Sequence, residues 1–347
     1  MASRRRTKGS DRGSGWGRTL WAVFVLAVLA AAGVVAFVML TPFGPSQETF
    51  IEIPMGSSTV HIGRLLEGAG VVRSQYAFDA MRWVAHGTLK AGDYRFDHPA
   101  TVSEVYDRIR RGDTYTIEVT IPEGSNMFDI AKRLQDAGFG SSTDFVNVAR
   151  QDTALISDLD PQAKTLEGYL FPDTYPLGPK DGMEKIAATM VRRFRKVATE
   201  VGLAQDVHNM VTLASLVERE TALANERPLV ASVFQNRMAK EMPLMTDPSV
   251  IYGLETAGQW RGAIYASDLQ KNTAYNTYIH PGLPPGPIAN PGMKSLQAAM
   301  HPAQTDYLYF VAAGQNPQGV SKFASTLEEH NRNVAGYRKA MKKAGER

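Results

Sequence analysis

Two glutamates sit where a helix would ordinarily show the core apolar residues. In the stretch 206–222, DVHNMVTLASLVERETA, Val211, Ala214 and Glu218 are spaced 0, 3 and 7, so Glu218 falls on an apolar stripe. Leu213, Leu216 and Glu220 repeat that spacing on the neighbouring stripe. Burial disfavours the charged form of a carboxyl and raises its pKa, which is what a general acid needs. Spacing does not choose between the two glutamates. Arg219 and Arg227 stand close enough in sequence to make either one an ion-pair partner instead.

The next hundred residues carry the groups that could hold a substrate. They include LMTDPSVIYG (244–253), AYNTYIHPGLPPGPIANPG (274–292) and DYLYFVA (306–312). The second is too rich in Pro and Gly for a helix or a central strand. It reads as an ordered loop, because Tyr275, Tyr278 and Ile279 would not sit freely in water. Asp247, Tyr252, Tyr275, Asn276 and Thr277 offer ring faces beside hydroxyl, amide and carboxyl groups, a mixture that suits sugar rings. A loop packed on the core would use the same composition. DYLYFVA reads as a buried strand.

Other chemistries find little support. There is no His-Glu-x-x-His, Gly-x-x-x-x-Gly-Lys or Gly-x-Ser-x-Gly sequence. His280, His301 and His330 are scattered among prolines and helix ends and read as structural, so no metal site is expected. The 347 residues include no cysteine, which excludes disulfides, thiolate metal sites and a cysteine nucleophile.

Several elements must position these groups. A helix over about 180–198 puts Ile186, Met190 and Phe194 on one side, with Arg192, Arg193 and Arg195 beside them as a solvated basic face. Asp206 is the expected N-cap of the glutamate-bearing helix. Further upstream the chain repeats itself. IEIPMGSSTVHIGRLLEGAGV, from Ile51, matches VTIPEGSNMFDIAKRLQDAGF, from Val119, at an offset of 68. Pro54, Gly56, Ser57, Ile62, Leu66 and Gly70 correspond to Pro122, Gly124, Ser125, Ile130, Leu134 and Gly138. Each copy reads as a strand, a Pro-x-Gly-Ser turn with Ser57 or Ser125 as helix cap, and a helix ended by glycine. The first copy continues with a helix over 74–85 and a strand in LKAGDYRF. The second has a helix over 141–150 and a looser echo in LEGYLFPDTY (166–175). The strand–helix–helix–strand order resembles the LysM module, a small glycan-binding fold.

The formal charge of +3 is unevenly placed. Arg4, Arg5, Arg6, Lys8, Arg12 and Arg18 stand against Asp11 in the first 18 residues, which leaves 32 basic and 34 acidic residues beyond them. The folded part is therefore slightly acidic, and a nucleic-acid partner is not expected. The tail leads into LWAVFVLAVLAAAGVVAFVML (20–40), free of charge and long enough to cross a bilayer core of about 30 Å. A signal peptide usually has a shorter apolar stretch. The reading is a signal anchor, with the basic flank in the cytoplasm and the rest exported.

LEGYLFPDTY, LASLVERETA, ERPLVASVFQNRM, LMTDPSVIYG, AYNTYIHPGLPPGPIANPG and DYLYFVA, in this order, resemble the endolytic murein transglycosylase family (YceG-like). The resemblance spans about residues 50–338. It implies an α+β protein of the bacterial cytoplasmic membrane: basic tail 1–19, transmembrane helix 20–40, linker 41–49, LysM-like lobe 50–160, mixed α/β catalytic domain 161–340 and basic tail 341–347. It implies cleavage within peptidoglycan glycan strands, with no cofactor. The catalytic acid of the Val-Glu-x-Glu-Thr motif falls on Glu218, which leaves Glu220 in support and Asp247, Tyr252, Tyr275, Asn276 and Thr277 to line a glycan groove. A cell-wall synthase is the implied protein partner. Two other readings stay open: a non-catalytic peptidoglycan scaffold, and a hydrolase pairing Glu218 with Asp247 across a groove.

Overall fold

The computed structural model describes residues 14–313 and 320–345. Arg4, Arg5, Arg6, Lys8 and Arg12 of the basic tail, and the last two residues of the C-terminal tail, lie outside the described residues. The chain divides between Thr116 and Ile117 into two compact units.

The first unit begins with helix α1 (Ser14–Leu40). Its segment Trp16–Leu40 is long and apolar enough to cross a membrane by length and composition. Strand β1 (Thr49–Ile53), helices α2 (Thr59–Gly68) and α3 (Gln75–Ala85) and strand β2 (Gly92–Phe96) follow, then helix α4 (Val102–Arg111). The two strands pair antiparallel, Thr49 opposite Phe96 and Ile53 opposite Gly92. Ile53, Ile62, Leu66, Phe78, Tyr94 and Tyr106 are buried in a core belonging to this unit.

The second unit repeats the pattern and then departs from it. Strand β3 (Ile117–Thr120), helices α5 (Met127–Asp136) and α6 (Ser142–Gln151) and strand β4 (Thr174–Leu177) give the same strand–helix–helix–strand order, again with antiparallel pairing. Helices α7 (Met183–Val201), α8 (Val207–Glu220), α9 (Arg227–Ala239), α10 (Asp247–Thr256) and α11 (Met293–Met300) follow. Strands β5 (Tyr309–Ala312) and β6 (Ser321–Ala324) form a ribbon before α12 (Leu327–Gly345). Ile130, Leu134 and Phe145 share one core with Phe194, Val211 and Leu216. The division at 116 falls between the two copies, within the span 50–160. The second copy buries its apolar face against α7 and α8.

The turns explain where the helices begin. Ser57 and Ser125 each donate their backbone N–H to the proline carbonyl three residues back, closing the Pro-x-Gly-Ser turn. Their expected capping role passes to the next residue. Ser58 accepts from the His61 amide, and Asn126 accepts from the Phe128 and Asp129 amides while Asp129 reaches back to Asn126. Both first helices end alike: Gly70 and Gly138 have φ of 70° and 91°, and the amides after them bond back to Leu66 and Leu134.

Three further expectations need correction. Asp206 takes the N-cap position of α8 as expected, but it is left-handed (φ 50°) and its carboxylate accepts from the Asn209 side chain instead of a helix amide. Arg193 and Arg195 are not merely solvated: Arg193 pairs with Asp173 at 2.6 Å, and Arg195 clamps the Leu155 carbonyl and Asp158. DYLYFVA contributes a half-buried ribbon strand, which among the described residues pairs with β6 alone. The repeat yields a test. Leu66→Ala and Leu134→Ala each remove a fully buried side chain from the equivalent site. Each should destabilise the unit that holds it by about 2–5 kcal/mol, measured by hydrogen exchange under mild denaturant.

Candidate active site

Helix α8 is buried nearly all round: Val211, Leu213, Ala214, Leu216 and Val217 are all inside. Its last turn therefore carries Glu218 into the core, where only 4% of the side chain is exposed. Two groups meet the carboxylate. Oε1 accepts from Arg227 Nη2 at 2.7 Å, and Oε2 accepts from the Gly292 backbone amide at 2.9 Å, at the start of α11. Arg227, on the first turn of α9, also donates to Glu123 Oε2 at 3.1 Å.

Glu123 comes from the Pro-x-Gly-Ser turn of the second repeat copy. Asn290 holds that turn in place. The Gly124 amide donates to the Asn290 carbonyl, and the Asn290 amide and Nδ2 both donate to the Ser125 carbonyl, at 2.9–3.0 Å. Arg219 Nη1 donates to the Gly124 carbonyl at 3.0 Å. Gly124 lies so close that a Cβ on it would be 3.5 Å from Glu218 Cγ. Four separate stretches, around 123, 218, 227 and 292, thus converge on one carboxyl.

The electrostatics of Glu218 are a contest. Burial is the largest influence and raises its pKa; the Gly292 amide and Arg227 pull it down, and the negative charge of Glu123 pushes it up again. The outcome is a carboxyl above its ordinary range.

Glu220 lies two residues on, about 200° around the helix, and faces elsewhere. It lines a cavity of about 340 Å³ with Arg237, Asp247, Tyr278, Tyr309 and His330. Burial and the neighbouring Asp247 push its pKa up to about 7 against the opposing Arg219 and Arg237. Asp247 Oδ1 accepts from the Tyr278 hydroxyl at 2.6 Å. Arg237 is spent on the carbonyls of Leu308, Pro243 and Leu244. Asp247 is therefore brought together with Glu220 and not with Glu218.

The remaining expected groove residues lie deeper. Tyr252 is buried, packed edge-on to Tyr275 with ring centroids 4.9 Å apart, and bonds to Glu167. Tyr275 is half-buried on it. Asn276 is buried, with Nδ2 donating to the Leu269 and Lys271 carbonyls and Oδ1 accepting from the Tyr278 amide. Thr277 is buried, and its hydroxyl accepts from the Thr246 amide and meets Ser249. The side chains of Asn276 and Thr277 thus satisfy loop backbone that has no ladder of its own. His280 meets Asn272, and His330 stacks on Tyr309. Among the described residues no cluster has the makings of a metal site.

One important carboxyl was missed in the sequence. Glu167, within LEGYLFPDTY, is fully buried and accepts from the Met127 amide at 2.9 Å and from Asn290 Nδ2 at 2.8 Å. Burial pushes it up to about 8 despite those donors. The signal available was a glutamate inside an apolar run. Asn290 thus links Glu167 to the turn that abuts Glu218.

Glu167 and Glu220 set a pH dependence. In the unfolded chain Glu167 and Glu220 return to the ordinary value of about 4.5, so the folded state binds more protons above that pH. Stability contributed by them is present below about pH 4.5 and is lost as pH rises to about 7 for Glu220 and about 8 for Glu167. Each contributes a slope of about 1.4 kcal/mol per pH unit in its window. Urea melts of Glu220→Gln and Glu167→Gln should each show a flatter profile there than the parent.

Residues 51–336 match the YceG-like family. An endolytic murein transglycosylase of Bacillus subtilis (strain 168) is 35% identical over 304 residues, covering 81% of this chain and 82% of that protein. An endolytic murein transglycosylase of Streptococcus pneumoniae (serotype 2, strain D39) is 30% identical over 349 residues, 89% of this chain, which spans 63% of that protein's length. The crystal structure of a YceG-like protein from Listeria monocytogenes is 33% identical and superposes with a TM-score of 0.53 over 83% of this chain and 99% of that one. On sequence and fold alike, this chain belongs to the YceG-like family.

Proposed function

We propose that this protein is a membrane-anchored endolytic lytic transglycosylase that cuts peptidoglycan glycan strands, with Glu218 as its acid. The observation that carries this reading is Glu218 itself, a carboxyl withdrawn from water and raised in pKa, backed by a guanidinium and a backbone amide. The names of the family relatives point to the same substrate.

The chemistry needs one carboxyl used twice. Protonated Glu218 gives its proton to the glycosidic oxygen leaving C1 of N-acetylmuramic acid, and the β-1,4 bond to N-acetylglucosamine breaks. The acetamido group of the sugar supports the oxocarbenium-like centre. Glu218 is now an anion, held by Arg227 and the Gly292 amide. It takes the proton of the C6 hydroxyl, whose oxygen closes on C1 to leave a 1,6-anhydro end. The proton count balances and no water is consumed. A hydrolase pairing Glu218 with Asp247 is less favoured, because Asp247 is hydrogen-bonded to Tyr278 in the cavity that Glu220 lines.

In this reading α1 is an uncleaved anchor with its basic flank in the cytoplasm. The strand–helix–helix–strand unit at 49–96 is a LysM-like module that meets glycan, and the enzyme terminates nascent strands beside a cell-wall synthase. Pull-down of the tagged chain from crosslinked membranes should recover it at full length with a synthase; a shortened chain, or no synthase, contradicts that arrangement. For the chemistry, Glu218→Gln keeps the shape of the side chain and loses its proton exchange. It should lose at least about a hundredfold in release of fragments from purified sacculi, with binding of sacculi unchanged. Full activity in this variant would sink the assignment.

A further inference from the structure

Glu123 is not among the matching positions of the repeat and takes no step in the proposed mechanism, yet it reaches the same guanidinium as Glu218. Arg227 Nη2 stands 2.7 Å from Glu218 and 3.1 Å from Glu123. One positive charge faces two carboxylates. Their burial is unequal: 48% of the Glu123 side chain is exposed, against 4% for Glu218. A buried one-to-one ion pair with arginine would hold Glu218 as the anion, the wrong form for an acid. A second carboxylate on the same guanidinium weakens that hold.

Two features bear on the placement of Glu123. Gly292 has extended backbone (φ −74°, ψ 169°) that any residue adopts, but a Cβ there would lie 1.9 Å from Glu123 Oε1. A side chain at this position would therefore have to displace the Glu123 carboxylate. In the first repeat copy the equivalent turn position is Met55, whose residue is 92% exposed. The turn needs no glutamate, so the glutamate serves something other than the turn.

The charged surroundings of Glu218 are otherwise sparse. Arg227 comes from α9 and Glu123 from the turn before α5. Helix α11 presents the Gly292 amide and Ser295. On its own helix, Arg219 is engaged by the Gly124 carbonyl, and beyond it Glu255 of α10 bonds to Asn126. We propose that Glu123 is a positioning residue that shares Arg227 with Glu218 and so keeps Glu218 able to carry the proton it donates. This rests on the reading of Glu218 as the acid.

The test is the pH profile of kcat/KM for the full chain in detergent on purified glycan strands, from about pH 5 to pH 9. Activity needs protonated Glu218 and falls on the alkaline side. Removing the charge of Glu123 lets Arg227 hold the anion more firmly, so Glu123→Gln should move the alkaline limb to lower pH. A limb that falls one pH unit earlier leaves the rate above it about tenfold lower, with recovery toward acid pH. Gly292→Ala should move the limb the same way by displacing Glu123. Glu123→Asp, which keeps the charge, should return it toward the parent. An unmoved limb with a uniform fall in rate overturns the proposal, as does loss of activity at every pH in the Gln variant. A parent chain without turnover, or a fully active Glu218→Gln, would remove the reading of Glu218 itself and this inference with it.

Discussion

A carboxyl taken out of water must be answered locally, and the second unit is organised around doing so for Glu218. Arg227 and the Gly292 amide supply the answer from two directions. Removing one partner of such a buried pair leaves a charge unmet, at a cost of about 3–5 kcal/mol. That constraint reaches far along the chain. It requires α9 to begin where it does, α11 to present its first amide inward, and the turn before α5 to lie close enough that a Cβ on Gly124 would meet the Glu218 side chain. Asn290 ties the last two together, and Glu167 orients Asn290 from behind.

Helix α8 also separates two chemistries that the sequence places two residues apart. Glu218 meets a guanidinium and a backbone amide, while Glu220 meets a cavity shared with another carboxylate. Both are pushed upward by burial, but only Glu218 has donors directly on both oxygens. A group that must give up a proton and then persist as an anion needs that backing. The repeat contributes unequally to the site. Its first copy closes its own core, and its second lends a turn to the glutamate.

Much of this was legible in the sequence. The apolar spacing around Glu218 and Glu220, the offset of 68 between the copies, and the glycines ending both first helices all carried through to the structure. The Pro- and Gly-rich loop is ordered without regular elements, as its aromatic content required. What failed did so for physical reasons. The caps fell one residue late because closing the turn uses the serine amide. Glu123 and Asn290 gave no local signal, since their roles exist only where distant segments meet.

The most direct measurement of the account is the chemical form of the sugar ends released from purified glycan strands, read by mass spectrometry. If Glu218 alone serves as acid and then base, the muramic acid ends are 1,6-anhydro and lighter by one water than the hydrolytic product. Ordinary reducing ends would mean that water enters the reaction and that a second group activates it, which contradicts a mechanism run by one glutamate.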